Sequence, residues 1–193
     1  PYDLVKTMRA SFYVLGPLLS RFHESKVSLP GGCAWGPRPV DFHIKALREM
    51  KVDVRLDKGD IIAKGQPQGN KIQFTKKSVG ATGNILMAAA RANGSTEILN
   101  AAMEPEIVSL CEFLQKLGAH IDGIGTEALI ISPIENENNS FEFDIIPDRI
   151  EAGTFMLAVA ATGGKINLKN VNIEHLESII DHLHKISITT NSD

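Results

Sequence analysis

The strongest constraint on the fold is that the chain repeats itself. Met8, Ala10, Val14 and Leu15 are matched in type and spacing by Val79, Ala81, Ile85 and Leu86, and again by Ile150, Ala152, Met156 and Leu157. Three equivalent helices follow from that spacing. Alternating segments recur with them: Val27-Ser28-Leu29, Thr96-Glu97-Ile98 and Ile166-Asn167-Leu168 read as strands. Each precedes a second helix, over roughly 39–50, 105–117 and 173–185. In the first two copies a strand, a tight turn and another strand come next, as VDVRL-DKGD-IIA and AHID-GIGTE-ALII, and KIQF and FEFDII supply one further strand each. The unit is strand, helix, three strands, helix, recurring about every 70 residues. Such a unit is too long and too rich in strands for a solenoid of small helical repeats, so compact α/β modules packed around one another are expected.

Composition narrows the class of partner. With 43% hydrophobic and 22% charged residues the chain reads as an ordinary globular protein. Its net charge of −3 supplies no general attraction for nucleic acid or an anionic membrane, so any anion site must be local. No apolar run approaches the ~20 residues that span a bilayer, and no signal-peptide pattern opens the sequence, so a cytoplasmic location is expected. The two cysteines differ in setting. Cys111 shares a helical face with Ile107, Leu114 and Leu117, whereas Cys33 lies in the glycine loop LPGGCAWGPRPVDFH, so a disulfide scaffold is not expected.

Two segments carry candidate chemistry. In the first, Gly31 and Gly32 free the backbone beside Cys33, Arg38 can lower a thiol pKa or neutralise an anion, and Pro37 and Pro39 stiffen the far side. A loop that brings a thiol and a guanidinium together suits an active-site lid. In the second, TKKSVGATGN, Ser78 is a helix N-cap and Gly80 leaves the first turn unobstructed, while Lys76 and Lys77 add positive charge where a phosphate would sit. A capped helix with solvated lysines accounts for the second segment equally well. Arg9, Gly80 and Glu151 hold equivalent places in the repeated helices. Glu104-Pro105-Glu106 and Asp148-Arg149 read as helix starts. Asp181, His182 and His184 read as a solvated helix surface, and no metal or cofactor is expected.

The stretches PYDLVKTMRAS, LPGGCAWGPRPVDFH, KKSVGAT, EPEIV and PDRIEAGTF resemble the UDP-N-acetylglucosamine 1-carboxyvinyltransferase family of enolpyruvyl transferases, collinearly over essentially the whole chain. The resemblance implies two inside-out α/β barrels, each of three such units, closing over substrates at their junction. On that basis residues 1–146 are part of the nucleotide-sugar-binding catalytic domain and 147–193 open the second domain. The implied reaction moves the enolpyruvyl group of phosphoenolpyruvate to the 3′-hydroxyl of UDP-N-acetylglucosamine with release of phosphate, committing material to peptidoglycan. Cys33 is then the loop acid, the carrier of a covalent phospholactoyl adduct and the target of fosfomycin. Arg38 would contact both substrates. Arg9, Pro39, Val40, Asp41, Phe42, Lys76, Lys77, Ser78 and Val79 would line the sugar-nucleotide site.

Two residues depart from the family pattern: Trp35 stands where a smaller aliphatic is common, and Met103 replaces a frequent arginine. The family's Lys-Asn pair would precede Pro1 and its aspartate base would follow Asp193, so these 193 residues alone are expected to lack turnover. Two other readings compete. One is a non-catalytic UDP-sugar-binding relic. The other is a thiol hydrolase pairing Cys33 with a histidine such as His43, for which no base or oxyanion hole is fixed.

Overall fold

The structure, a computed structural model, describes residues 9–29, 40–138 and 140–191, and of Arg9 the backbone alone. The chain divides between Glu142 and Phe143 into two compact units. In the first, a 3-10 helix, Arg9–Val14, runs into α1, Leu15–Phe22, and then β1, Glu24–Ser28. Helix α2, Asp41–Glu49, is followed by β2, Asp53–Asp57, β3, Asp60–Lys64, and β4, Lys71–Gln73. Helix α3, Val79–Ala89, leads to β5, Thr96–Leu99, α4, Pro105–Leu117, β6, His120–Asp122, and β7, Ala128–Ser132. The second unit holds α5, Arg149–Thr162, a 3-10 turn, Glu174–Leu176, and α6, Glu177–Lys185.

The repeat survives at the level of register. One sheet has the order β1-β3-β2 and the other β4-β5-β7-β6, with only β4 and β5 parallel. Ser25 faces Ala63 and Val27 faces Ile61 in the first, as Thr96 faces Ile131 and Ile98 faces Leu129 in the second. Because side chains alternate across a strand, equal register buries equal faces. Ser25, Val27, Val54, Ile61 and Ala63 are buried in one sheet, and Thr96, Ile98, Ile121, Leu129 and Ile131 in the other. Even a defect is repeated: the buried hydroxyls of Ser25 and Thr96 have no hydrogen-bond partner among the described residues. The turn between β2 and β3 is two residues long, with Lys58 at φ 49° and Gly59 at φ 87°. Positive φ at both positions is the hairpin geometry that matches strand twist.

Helix α3 is the axle of the first unit. All of its residues from Ala81 to Leu86 are buried, together with Ala88 and Ala89, as expected of a helix enclosed on every side. It meets α1 through Asn84. Pro17 has no N–H, and its ring conflicts with the carbonyl four residues earlier, so the α-helix starts late and the residues before it wind as a 3-10 turn. The Phe12 carbonyl and the Gly16 N–H, which would otherwise pair, are bridged by the Asn84 amide. Asn84 Nδ2 donates to the Phe12 oxygen at 3.0 Å, and the Gly16 N–H donates to Asn84 Oδ1 at 2.7 Å. Asn84 Nδ2 also lies 3.2 Å from His43 Nδ1 on α2, so one side chain joins three helices. A Cβ on Gly16 would overlap the Asn84 backbone oxygen, so only glycine lets the helices approach this closely.

Two strand expectations fail. Ile166–Leu168 and residues 141–146 form no strand, because a strand is held by ladder bonds to a neighbour and none of the described residues pairs with either segment. Ile145 and Ile166 stay in water, 79% and 40% exposed, while Phe141 is half-buried with its ring 5.5 Å from that of Phe113. Among the described residues no helix is long and apolar enough to cross a membrane.

Two substitutions test this packing in the intact protein. Thr96→Val exchanges an unsatisfied buried hydroxyl for a methyl of the same shape and should raise stability to urea by about 1 kcal/mol. A loss would mean that the hydroxyl has a partner. Gly16→Ala should lower stability by about 2 kcal/mol, through forced separation of α1 and α3, and an unchanged transition would contradict that contact.

Candidate functional site

Two helix starts, α2 and α3, are brought side by side. Ser78 caps α3 from an extended backbone, φ −145° and ψ 108°, and its Oγ accepts from the Ala81 N–H at 3.3 Å. The first intrahelical bond runs from the Thr82 N–H to the Ser78 carbonyl at 2.9 Å. Val79 and Gly80 therefore present amides with no acceptor inside the helix, at its positive end. Lys76 is exposed and forms no ion pair among the described residues. Lys77 Nζ is held by Glu127 Oε1 at 2.6 Å, from the turn between β6 and β7. Both side chains are open to solvent, and an exposed pair of this kind contributes little, so an anionic ligand can compete with Glu127 for the ammonium.

Helix α2 begins at Asp41, with Val40 as its N-cap residue and no side-chain cap. The carboxylate of Asp41 suits that positive end and stays exposed. Phe42 is half-buried and its ring meets the buried ring of Phe74 at 6.3 Å, just ahead of the lysine pair. His43 is buried, its ring edge-on to Phe12 at 4.8 Å and 89°. A Cβ on Gly80 would stand 3.4 Å from both Cε1 and Nε2 of that ring, which places the second turn-forming residue of α3 against α2. Val40, Asp41 and Phe42 thus share one end of the unit with Lys76, Lys77, Ser78 and Val79.

Cys33, Arg38 and Pro39 lie outside the described residues, as does the side chain of Arg9. Arg9 opens the 3-10 helix, while Glu151 belongs to the second unit. The start of α5 is closed by Asp148, whose Oδ1 accepts from the Ile150 and Glu151 amides at 2.8 and 3.1 Å. Glu104 caps α4 without a side-chain hydrogen bond. Among the described residues no cluster of three metal ligands occurs. His182 Nδ1 is bound by the Ser178 carbonyl and His184 Nε2 by Thr190 Oγ1, each at 2.6 Å. Asn84 and Glu127 were absent from the sequence-based candidates. Asn84 had a signal, as a lone amide in the apolar run of α3, whereas Glu127 had none, because only the β6–β7 turn carries it to Lys77.

A sequence model of the EPSP synthase (3-phosphoshikimate 1-carboxyvinyltransferase) family matches residues 1–192. The chain belongs to the EPSP synthase family. Within it, the UDP-N-acetylglucosamine 1-carboxyvinyltransferase of Chloroherpeton thalassium is 56% identical over 189 residues, covering 96% of this chain and 44% of its own. That of Campylobacter jejuni subsp. doylei is 49% identical over 190 residues, covering 98% and 46%. The chain thus spans a little under half the length of these curated relatives. The enolpyruvyl transferase NikO from Streptomyces tendae superposes with a TM-score of 0.72 at 20% identity, over 95% of this chain and 45% of that one. EPSP synthase from Acinetobacter baumannii gives 0.65 at 21%, over 93% and 41%. The fold is that of the enolpyruvyl transferases.

The second cysteine is chemically quiet. Cys111 is a free, buried thiol, and burial, helped by the Glu112 carboxylate, pushes its pKa up to about 12 from an ordinary 9.0. Because the folded value is the higher one, its stability contribution is complete below the unfolded thiol value and is lost as pH rises through the folded one. Stability to urea should therefore decline between pH about 9 and about 12, and Cys111→Val should flatten that decline. Identical slopes in the two proteins would contradict the burial argument.

Proposed function

We propose that the intact protein transfers the enolpyruvyl group of phosphoenolpyruvate to the 3′-hydroxyl of UDP-N-acetylglucosamine, with release of phosphate, in peptidoglycan precursor synthesis. The observation that carries this reading is the pairing of the α2 and α3 starts, built from Val40, Asp41 and Phe42 and from Lys76, Lys77, Ser78 and Val79. Relatives 49–56% identical over nearly the whole chain bear that activity in their names.

The chemistry suits these residues. A diphosphate brings concentrated negative charge, and free amides at a helix start with a nearby lysine offset it without making the whole protein basic. Lys77, released from Glu127, adds a second cation. The uridine end would lie along Pro39–Phe42, and Arg9 and Arg38 would complete the electrostatics. Cys33 would supply the proton that the methylene carbon of phosphoenolpyruvate takes up, from a loop that closes after water has left. On this reading residues 1–146 belong to the nucleotide-sugar domain, 147–193 to the second domain, and the protein works in the cytoplasm without a cofactor. These 193 residues by themselves would lack turnover.

In the intact protein, phosphate release should require both substrates, and Arg38→Ala should reduce it by at least about 100-fold, as loss of one charge-stabilising donor does elsewhere. Wild-type turnover in that variant would refute the assignment. Tight calorimetric binding of UDP-N-acetylglucosamine with no phosphate released from the wild type would instead identify a binding relic.

A further inference from the structure

The side chain of Glu104 declines the role that its position offers. It stands at the start of α4, where a carboxylate ordinarily accepts from amides of the first turn, yet it makes no such bond. Its backbone carbonyl takes the opening bonds of the helix instead, accepting from the Ile107 and Val108 N–H groups at 2.8 and 3.2 Å. The carboxylate oxygen Oε2 is buried and has no hydrogen-bond partner among the described residues. An unmatched carboxylate oxygen costs more than an unmatched hydroxyl, such as those of Ser25 and Thr96.

The backbone that carries Glu104 is tied to the α3 start. Ala101 and Ala102 are buried. The Ala101 N–H donates to the Glu127 carbonyl at 3.0 Å, and the Ala102 N–H donates at 3.1 Å to Oγ1 of Thr82, in the first turn of α3. Glu104 follows two residues later, so its Cα lies within about 7 Å of that of Ala102. Beyond it, a Cβ on Gly83 would stand 3.6 Å from Ile107 Cδ1 and 3.4 Å from Leu110 Cδ2. The chain before Glu104 and the helix after it thus both touch the N-terminal half of α3. The α3 start itself presents donors, the Val79 and Gly80 amides and the ammonium of Lys76, which suit phosphate oxygens. On the α2 side Asp41 offers an acceptor in water. On the α4 side Glu104 Oε2 offers one out of water, and such an oxygen calls for a donor.

We propose that Glu104 is a specificity-determining residue of this site: its buried carboxylate oxygen accepts a hydrogen bond from a hydroxyl or amide N–H of the ligand's sugar, while the α3 start serves the diphosphate. The unmatched oxygen stands on geometry alone, and the sugar rests on the function proposed above. A bond of this kind, charge-assisted and shielded from water, discriminates strongly between a ligand that carries the donor and one that lacks it.

The test compares two probes on the intact protein by calorimetry, UDP-N-acetylglucosamine and UDP, which lacks the sugar. The wild type should bind the sugar nucleotide more tightly. Glu104→Ala should lower affinity for UDP-N-acetylglucosamine about tenfold and leave that for UDP unchanged. Glu104→Gln, which keeps a neutral acceptor oxygen, should fall between. Equal losses for the two probes would mark a purely structural role and overturn the proposal, as would wild-type affinity for both. Should Glu104→Ala fail to fold, the same comparison in Glu104→Gln decides, and a wild type that binds both probes equally overturns the proposal without any variant. A wild type that binds neither defeats the functional reading together with the ligand assigned here. Phosphate release by a wild type whose Glu104→Ala variant binds the sugar nucleotide undiminished defeats this inference alone.

Discussion

The first unit is organised around a carboxamide that replaces a helical hydrogen bond. Where Pro17 prevents α1 from starting earlier, Asn84 supplies both the donor and the acceptor that the open backbone needs, from the most buried helix of the unit. Leaving these groups unmatched inside the core would cost on the order of 1–3 kcal/mol each, so α3 can settle against α1 in only one axial position. Gly16 enforces the same position sterically. Once α3 is fixed along its axis, the place of its first turn is fixed too, and the third bond of the amide brings α2 into line with it. Placement of the candidate site is thus a consequence of core packing.

That placement would let a chain with net charge −3 hold the anionic ligand proposed above. Helix dipole, free amides and one or two ammonium groups act within a few ångströms, and their effect is local. Glu127 pairs with Lys77, so the charge of that lysine reaches an anion only when the carboxylate is displaced. Local charge of this kind favours a particular anion over the many polyanions that a basic surface would attract.

Much of the scaffold was legible in the sequence because the repeat constrains it. Three helices, the paired strands of two sheets and the DKGD turn follow from periodicity and glycine placement, and among the described residues these elements are found, although the first helix is 3-10 as far as Val14 and Leu29 lies past β1. The segments 141–146 and 166–168 were misread for one physical reason. Alternation records a face to be covered, whereas a strand also requires a neighbour to pair with, and periodicity cannot supply the neighbour. The Ser78 cap and the lysines beside it could be placed on α3 from local signals alone. The bonds of Asn84 to residues far away in sequence, and the approach of Glu127 to Lys77, depend on packing between elements and leave no local trace.

Departures from the repeat say where chemistry was added to the scaffold. In the register that aligns Met8, Val79 and Ile150, Asn84 falls where the other copies carry Tyr13 and Phe155, so an aromatic position has become the amide that ties three helices together. The helix starts diverge in the same way. That of α5 is sealed by the Asp148 carboxylate, which occupies the amides an anion would need. That of α3 is capped by a neutral serine, cleared by Gly80 and flanked by Lys76 and Lys77. Helices matched in the sequence repeat therefore differ in the electrostatic sense of their starts. Beyond the Lys77–Glu127 pair, the neutral cap and lysine-flanked start of α3 meet the requirement of the anion site proposed above, which the carboxylate-sealed start of α5 does not.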